Sequence, residues 1–122
     1  AVVNKKTFYL NNYGDHFRDF TYIDDVIENI ILLINKNNKK RHEIYNVCSN
    51  DPVSLKFVLS KINEAFGKPK IIKRSKQQAD VYKTHGSNLK LINATKFKNY
   101  TKITTGLNNL INWAKSNIHL IK

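Results

Sequence analysis

The residue best placed to do chemistry is Arg18, in the run Gly14-Asp15-His16-Phe17-Arg18-Asp19-Phe20-Thr21-Tyr22-Ile23-Asp24-Asp25. It falls just after a glycine turn and just before an amphipathic helical pattern. A guanidinium held there can grip a phosphate or carboxylate through two parallel hydrogen bonds. The same spacing also suits a surface arginine paired with Asp15 or Asp19, and spacing alone does not separate the two. Gln77 and Asp80 lie in an irregular stretch, Ser75 to Gly86, of the kind in which binding residues collect, although a solvated loop has the same composition. The adjacent carboxylates Asp24 and Asp25 point to different sides of a helix. They suit the first turn of that helix, near its positive dipole end, better than acid–base catalysis.

Other chemistries are absent. The four glycines, at 14, 67, 86 and 106, cannot form a glycine-rich phosphate loop. His16, His42, His85 and His119 form no metal-ligand pair at helical spacing, and no Gly-x-Ser-x-Gly elbow occurs. The single cysteine, Cys48, rules out an internal disulfide. It sits in the apolar run Ile44 to Cys48 and reads as a buried, inert thiol. No apolar run reaches membrane-spanning length, and the N-terminal residues carry no signal-like hydrophobic stretch. A soluble protein of the reducing cytoplasm is expected.

The chain has 122 residues, 41% hydrophobic and 25% charged, and reads as one domain, residues 1–122. Its net charge of +12 favours anionic partners. The lysines are spread through the chain, with short runs only at Lys5-Lys6, Lys39-Lys40-Arg41 and Lys73-Arg74, as a general compositional bias would also leave them.

The elements that must position Arg18 follow from periodicity. Lys6 to Leu10 reads as a strand and Phe20 to Tyr22 as a short extended piece. Ile23, Val26, Ile27, Ile30, Ile31 and Ile34 recur at helical spacing and predict a buried face on a helix from Ile23 to about Asn35. Thr21 and Asp24 resemble a capping box at its start. Lysines in the polar cluster Asn35 to Arg41 complement its carbonyl end. Glu43 to Cys48 predicts a strand. Ser54 predicts the cap of a second helix, with Leu55, Val58, Leu59, Ile62 and Phe66 on one face and Gly67 ending it. Lys70 to Lys73 is a further strand. Asn88 predicts the cap of a short helix from Leu89 to Ala94. A last helix from near Lys102 is expected to bury Leu107, Leu110, Ile111, Ala114 and Ile118, with Trp113 in a core or an interface. Alternating strands and helices give an α/β domain, with a small mixed sheet and three main helices.

Four stretches then carry a likeness. Tyr13-Gly14 with Arg18 to Asp25 matches a G-x-x-x-RDFTYIDD pattern. Tyr45-Asn46-Val47 with Asn50, Pro52, Val53, Ser54 and Leu55 matches a strand-to-helix turn. Gln77-Gln78-Ala79-Asp80-Val81 with Thr84 matches a (Q/R)PGDV-x-x-T loop. Thr101, Gly106-Leu107 and Trp113 match a terminal helix. In these the chain resembles the C-terminal, substrate-binding region of the NAD-dependent epimerase/dehydratase family, the extended short-chain dehydrogenase/reductases. Within that family it is most like the UDP-glucuronate 4-epimerases.

The resemblance implies a UDP-sugar ligand. Arg18 would contact its diphosphate, Gln77 would lie near that diphosphate, and Asp80 would contact the ribose region. Backbone groups around Tyr9 and Asn11 would approach the uracil. It also implies an N-terminal Rossmann domain that binds NAD and supplies a Tyr-x-x-x-Lys pair. None of the six tyrosines has a lysine four residues on. The chain is therefore expected to be the substrate-binding part of a longer epimerase or dehydratase, inactive by itself, with its NAD held by the missing domain. Gln78-Ala79 stands where the pattern has Pro-Gly, Ser87 where it has Asp, and Lys96 and Asn99 where Gly and Pro are expected around Phe97. Two alternatives remain: a small basic nucleic-acid-binding module, disfavoured because no RRM, KH or zinc-finger signature occurs, and an interaction module that self-associates through exposed apolar faces.

Overall fold

Helix-forming and strand-forming segments alternate, and the computed structural model describes residues 1–36 and 42–121. Strand β1 spans Phe8–Leu10 and runs into a 3-10 turn, Asn11–Gly14; strand β2 spans Phe17–Arg18 and helix α1 Ile23–Ile34. Strand β3 (Val53–Ser54) leads directly into helix α2 (Leu55–Phe66), and strand β4 is Ile71–Lys73. Helices α3 (Leu89–Thr95), α4 (Ile103–Ser116) and α5 (Ile118–Ile121) complete the chain. The expected α/β arrangement is present, with both strand polarities in two short ladders. β1 and β4 pair parallel, Tyr9 opposite Ile72, and β2 and β3 pair antiparallel, Phe17 opposite Ser54.

Local chemistry explains most of the punctuation. Ser54 caps α2 by accepting a hydrogen bond from Lys56 N, and Gly67 ends that helix at φ +88°. Between β1 and β2 the backbone turns through three successive left-handed residues, Asn12 (φ +45°), Tyr13 (+53°) and Gly14 (+77°). Such a conformation is costly for a bulky side chain like Tyr13, and it redirects the chain toward Arg18.

Several sequence expectations are corrected. Tyr22, not Thr21, holds the cap position of α1, and no side chain caps it. Phe20 to Tyr22 joins no ladder, since the pairing lies earlier in β2, but Tyr22 is extended as expected. Glu43 to Cys48 forms no strand. Its apolar pattern is that of a strand, but its backbone is met by side chains: Asn88 Nδ2 donates to Cys48 O and Lys90 Nζ to Ile44 O. The largest change concerns α1, whose isoleucines at 23, 27, 30, 31 and 34 are all exposed. Its buried residues are Asp25 and Asn29, one turn apart. The helix therefore packs through a polar seam and leaves its apolar stripe open.

That seam is well satisfied. Asp25 accepts hydrogen bonds from Thr101 N and Thr101 Oγ1, both at 2.8 Å, so it ties α1 to the segment entering α4 instead of capping its own helix. Asn29 donates to Asp25 O and accepts from Thr95 Oγ1 in α3. Asn88 stands at the cap position of α3, but its side chain donates to Cys48 O. The apolar core beside this seam is thin: Leu10, Cys48, Val58, Leu91 and Leu107 among the described residues. In α4 only Leu107 is buried, whereas Leu110, and Ile118 in α5, are exposed, contrary to the predicted face; Trp113 is exposed as well. Of the polar cluster Asn35 to Arg41 expected at the end of α1, positions 37 to 41 lie outside the described residues. Among the described residues no helix is long and apolar enough to cross a membrane.

Candidate functional site

The site grows out of β2. In an extended segment, residues two apart face the same side, so His16 and Arg18 project together while Phe17 faces away, its ring edge-on to Tyr82 at 5.7 Å. The loop after β4 comes back along this segment. Phe17 N donates to Tyr82 O at 2.9 Å and Thr84 N to Phe17 O at 3.2 Å. That pairing brings Asp80 between the two projecting side chains. Arg18 Nη2 donates to Asp80 Oδ1 at 2.9 Å, while Nη1 donates to Phe17 O at 2.8 Å and to Tyr82 O at 3.3 Å. The other carboxylate oxygen of Asp80 lies 3.1 Å from His16 Nε2, at ion-pair distance but without hydrogen-bond alignment. His16 is buried, whereas Arg18 and Asp80 are each about a quarter exposed, at 27% and 22%.

Arg18 thus pairs with neither Asp15 nor Asp19, the partners its spacing suggested. Asp15 lies 3.5 Å from Lys56 Nζ. Asp19 is turned inward as a loop anchor: its carboxylate accepts from Asn50 N, Asp51 N and Gly86 N. Cys48 lies beside it, and burial together with the Asp19 charge pushes its thiol up, as an inert cysteine requires.

The remaining predicted residues surround this centre unevenly. Gln77 is exposed and begins the turn that delivers Asp80, its carbonyl accepting from Asp80 N at 3.1 Å. Ala79 replaces a glycine of the family pattern without adopting positive φ, so the loop still brings Asp80 to Arg18. Asn11 Oδ1 is buried with no hydrogen-bond partner. Tyr9 is exposed, and the Arg74 guanidinium lies 3.7 Å from the centre of its ring. The turn after β1 is tied to the same loop, since Asn12 N donates to Ser75 O and Tyr13 N to Arg74 O. His16 and Arg74 were not singled out by sequence reasoning. The two-residue step from His16 to Arg18 was the available signal for the first. For Arg74, the signal was the alignment of β4 with β1.

The glycines offer no dinucleotide cradle. A Cβ at Gly14 would meet Leu10, one at Gly86 would meet Cys48 Sγ at 2.7 Å, and one at Gly106 would meet Tyr22. These glycines allow side chains to pack closely and open no phosphate-binding concavity.

The chain has similar proteins of known family. Residues 1–48 match the model of the NAD dependent epimerase/dehydratase family. Protein CapI of Staphylococcus aureus is 30% identical over 93% of this chain and 39% of its own length. A probable UDP-glucuronate 4-epimerase of Rhizobium meliloti is 28% identical over 96% of the chain and 40% of its own length. In fold, the chain overlays MoeE5 in complex with UDP-glucuronic acid and NAD with a TM-score of 0.81, at 23% identity over 93% of this chain and 38% of that one. UDP-glucuronic acid 4-epimerase from Bacillus cereus, also in complex with UDP-glucuronic acid and NAD, gives 0.78 at 19% identity, over 93% of this chain and 37% of that one. The resemblance to the epimerase/dehydratase family therefore holds in family model, in sequence and in fold. The chain spans about two fifths of the length of such relatives.

Proposed function

We propose that this chain is the nucleotide-sugar-binding part of an NAD-dependent UDP-sugar epimerase or dehydratase, closest in kind to a UDP-glucuronate 4-epimerase. The observation that carries the proposal is the placement of Arg18. Its guanidinium is fixed by two backbone carbonyls at a strand-to-helix junction, in a fold shared with enzymes solved with UDP-glucuronic acid. Arg18 is the diphosphate contact, Gln77 flanks it, and Asp80 faces the ribose. Backbone groups of β1 and the turn after it, from Tyr9 to Asn11, receive the uracil. The net charge of +12 steers a dianionic ligand inward.

The chemistry belongs to a partner, a Rossmann domain that holds NAD, for which the exposed isoleucine stripe of α1 supplies docking surface. Alone, the chain neither retains NAD nor turns over a sugar. The setting of the whole enzyme is the cytoplasm, where nucleotide sugars are available.

Calorimetric titration of the chain with UDP, UDP-glucuronate and a random oligonucleotide tests this. A saturable response to both uridine ligands is expected. Tight, salt-sensitive oligonucleotide binding with no response to UDP would replace the proposal with a nucleic-acid function.

A further inference from the structure

The geometry points to Asp80 as a built-in counter-ion: it occupies the Arg18 fork in the ligand-free chain, and an incoming diphosphate must displace it, while His16 keeps the displaced carboxylate at the edge of the site. The inference rests on the reading of Arg18 as the diphosphate contact and deepens it. Three observations carry it.

The first is which parts are fixed. Arg18 is held by Phe17 O and Tyr82 O independently of Asp80. His16 is 3% exposed and pinned through its backbone on both sides, its N donating to Gly14 O at 3.0 Å and its O accepting from Leu55 N at 2.9 Å. Asp80, by contrast, follows the exposed residues Lys76 to Ala79 and precedes exposed Val81 and Tyr82. Of the three groups, it is the one carried on an exposed loop.

The second is charge. Arg18 and Asp80 at 2.9 Å form a pair with no net charge. A diphosphate approaching Arg18 meets the Asp80 carboxylate at nearly the same distance, and the repulsion offsets most of the attraction. The third is donor capacity. The described contacts use three of the five guanidinium N–H groups, and the Asp80 contact is the only one of them made to a charged side chain. A phosphate oxygen that replaces Asp80 Oδ1 gains a charge-assisted bond without reorganising Arg18. His16 Nε2, at 3.1 Å from Oδ2, then retains the carboxylate within reach of a ribose hydroxyl.

Asp80→Asn is the decisive variant. It removes the charge but keeps an oxygen that can accept from ribose, and the loop position is exposed enough for the chain to fold; Asp80→Ala is the second variant, lacking both. UDP titration of the full chain should show Asp80→Asn binding about threefold tighter than wild type, the gain expected from releasing a partly exposed ion pair. In parallel, the 15N side-chain resonances of Arg18 should show slowed guanidinium rotation in the ligand-free chain. At Nη2, the nitrogen that bonds Asp80, that signature should be lost in both variants and should change when UDP is added to wild type. Equal or weaker binding by Asp80→Asn, with wild type still binding UDP, would overturn the inference and leave the diphosphate reading intact. Arg18 resonances indifferent to both Asp80 variants would do the same. No saturable UDP binding by wild type or variant would overturn the reading and the inference together.

Discussion

Four side chains, Asp25, Lys96, Cys48 and Tyr100, affect stability in ways their residue types do not announce. Asp25 is buried and receives both donors of Thr101. Asp25→Ala should cost about 2–3 kcal/mol in urea unfolding, the worth of hydrogen bonds to a buried carboxylate, with Asp25→Asn intermediate. Lys96 ends α3 at φ +63° and ψ 6°, a conformation that favours glycine. Lys96→Gly should gain about 1 kcal/mol, while Lys96→Ala should gain nothing, since alanine meets the same left-handed strain. The family pattern places a glycine near this point, so the sequence departure and the strained dihedral are one observation. Cys48 and Tyr100 are both pushed up, chiefly by burial. The folded chain keeps these protons where the unfolded chain has released them, so this contribution is present below the ordinary thiol value of 9.0 and is lost as pH rises through the higher folded values. The melting temperature should therefore fall as pH climbs above 9.0, with a shallower slope for Cys48→Ala. At neutral pH the thiol should label with iodoacetamide only slowly unless the chain is first unfolded.

At the level of elements, legibility divided along one line. Segments that end on local chemistry were readable: Ser54 and Gly67 bound α2 in the sequence and in the fold, and the Ile71–Lys73 strand lies where its apolar run does. Segments whose pattern is satisfied only by something alongside were misleading. The isoleucines of α1 have helical spacing and form a helix, yet the stripe faces outward, and the buried contacts come from Asp25 and Asn29. Periodicity specifies that an apolar face exists and is silent about what covers it. The Glu43 to Cys48 segment is the β counterpart, strand-like in composition with no ladder among the described residues. The candidate site was half legible for a related reason. Arg18 and Asp80 were each visible as polar residues beside turns, but 62 residues separate them, and only the Phe17 to Thr84 pairing brings them together. The open stripe predicts a mutational asymmetry. Ile27→Glu or Ile30→Glu should leave the chain's own stability within about 0.5 kcal/mol, as exposed substitutions do. The same changes should abolish association with the Rossmann domain proposed to cover this face, as a pull-down with that domain would show.

For the whole molecule, the surface is too large for its mass. The chain exposes 8818 Å², against about 6800 Å² expected for a compact monomer of 14.2 kDa. The excess is of the size that a substantial interface buries. It coincides with the α1 stripe and with an apolar groove of about 410 Å³ between α2 and α4, lined by Leu59, Phe66, Leu110 and Trp113. The polar site at Arg18 does not line that groove. A charged site at Arg18 beside large uncovered apolar faces is what the proposed role of a substrate grip requires. Amide chemical-shift mapping of the 15N-labelled chain during titration with UDP tests that claim most directly. The account predicts saturable shifts centred on Tyr9 to Asn12, Arg18 and Gln77 to Tyr82. Shifts centred on the α2–α4 groove, or spread over the lysines without saturation, would contradict it.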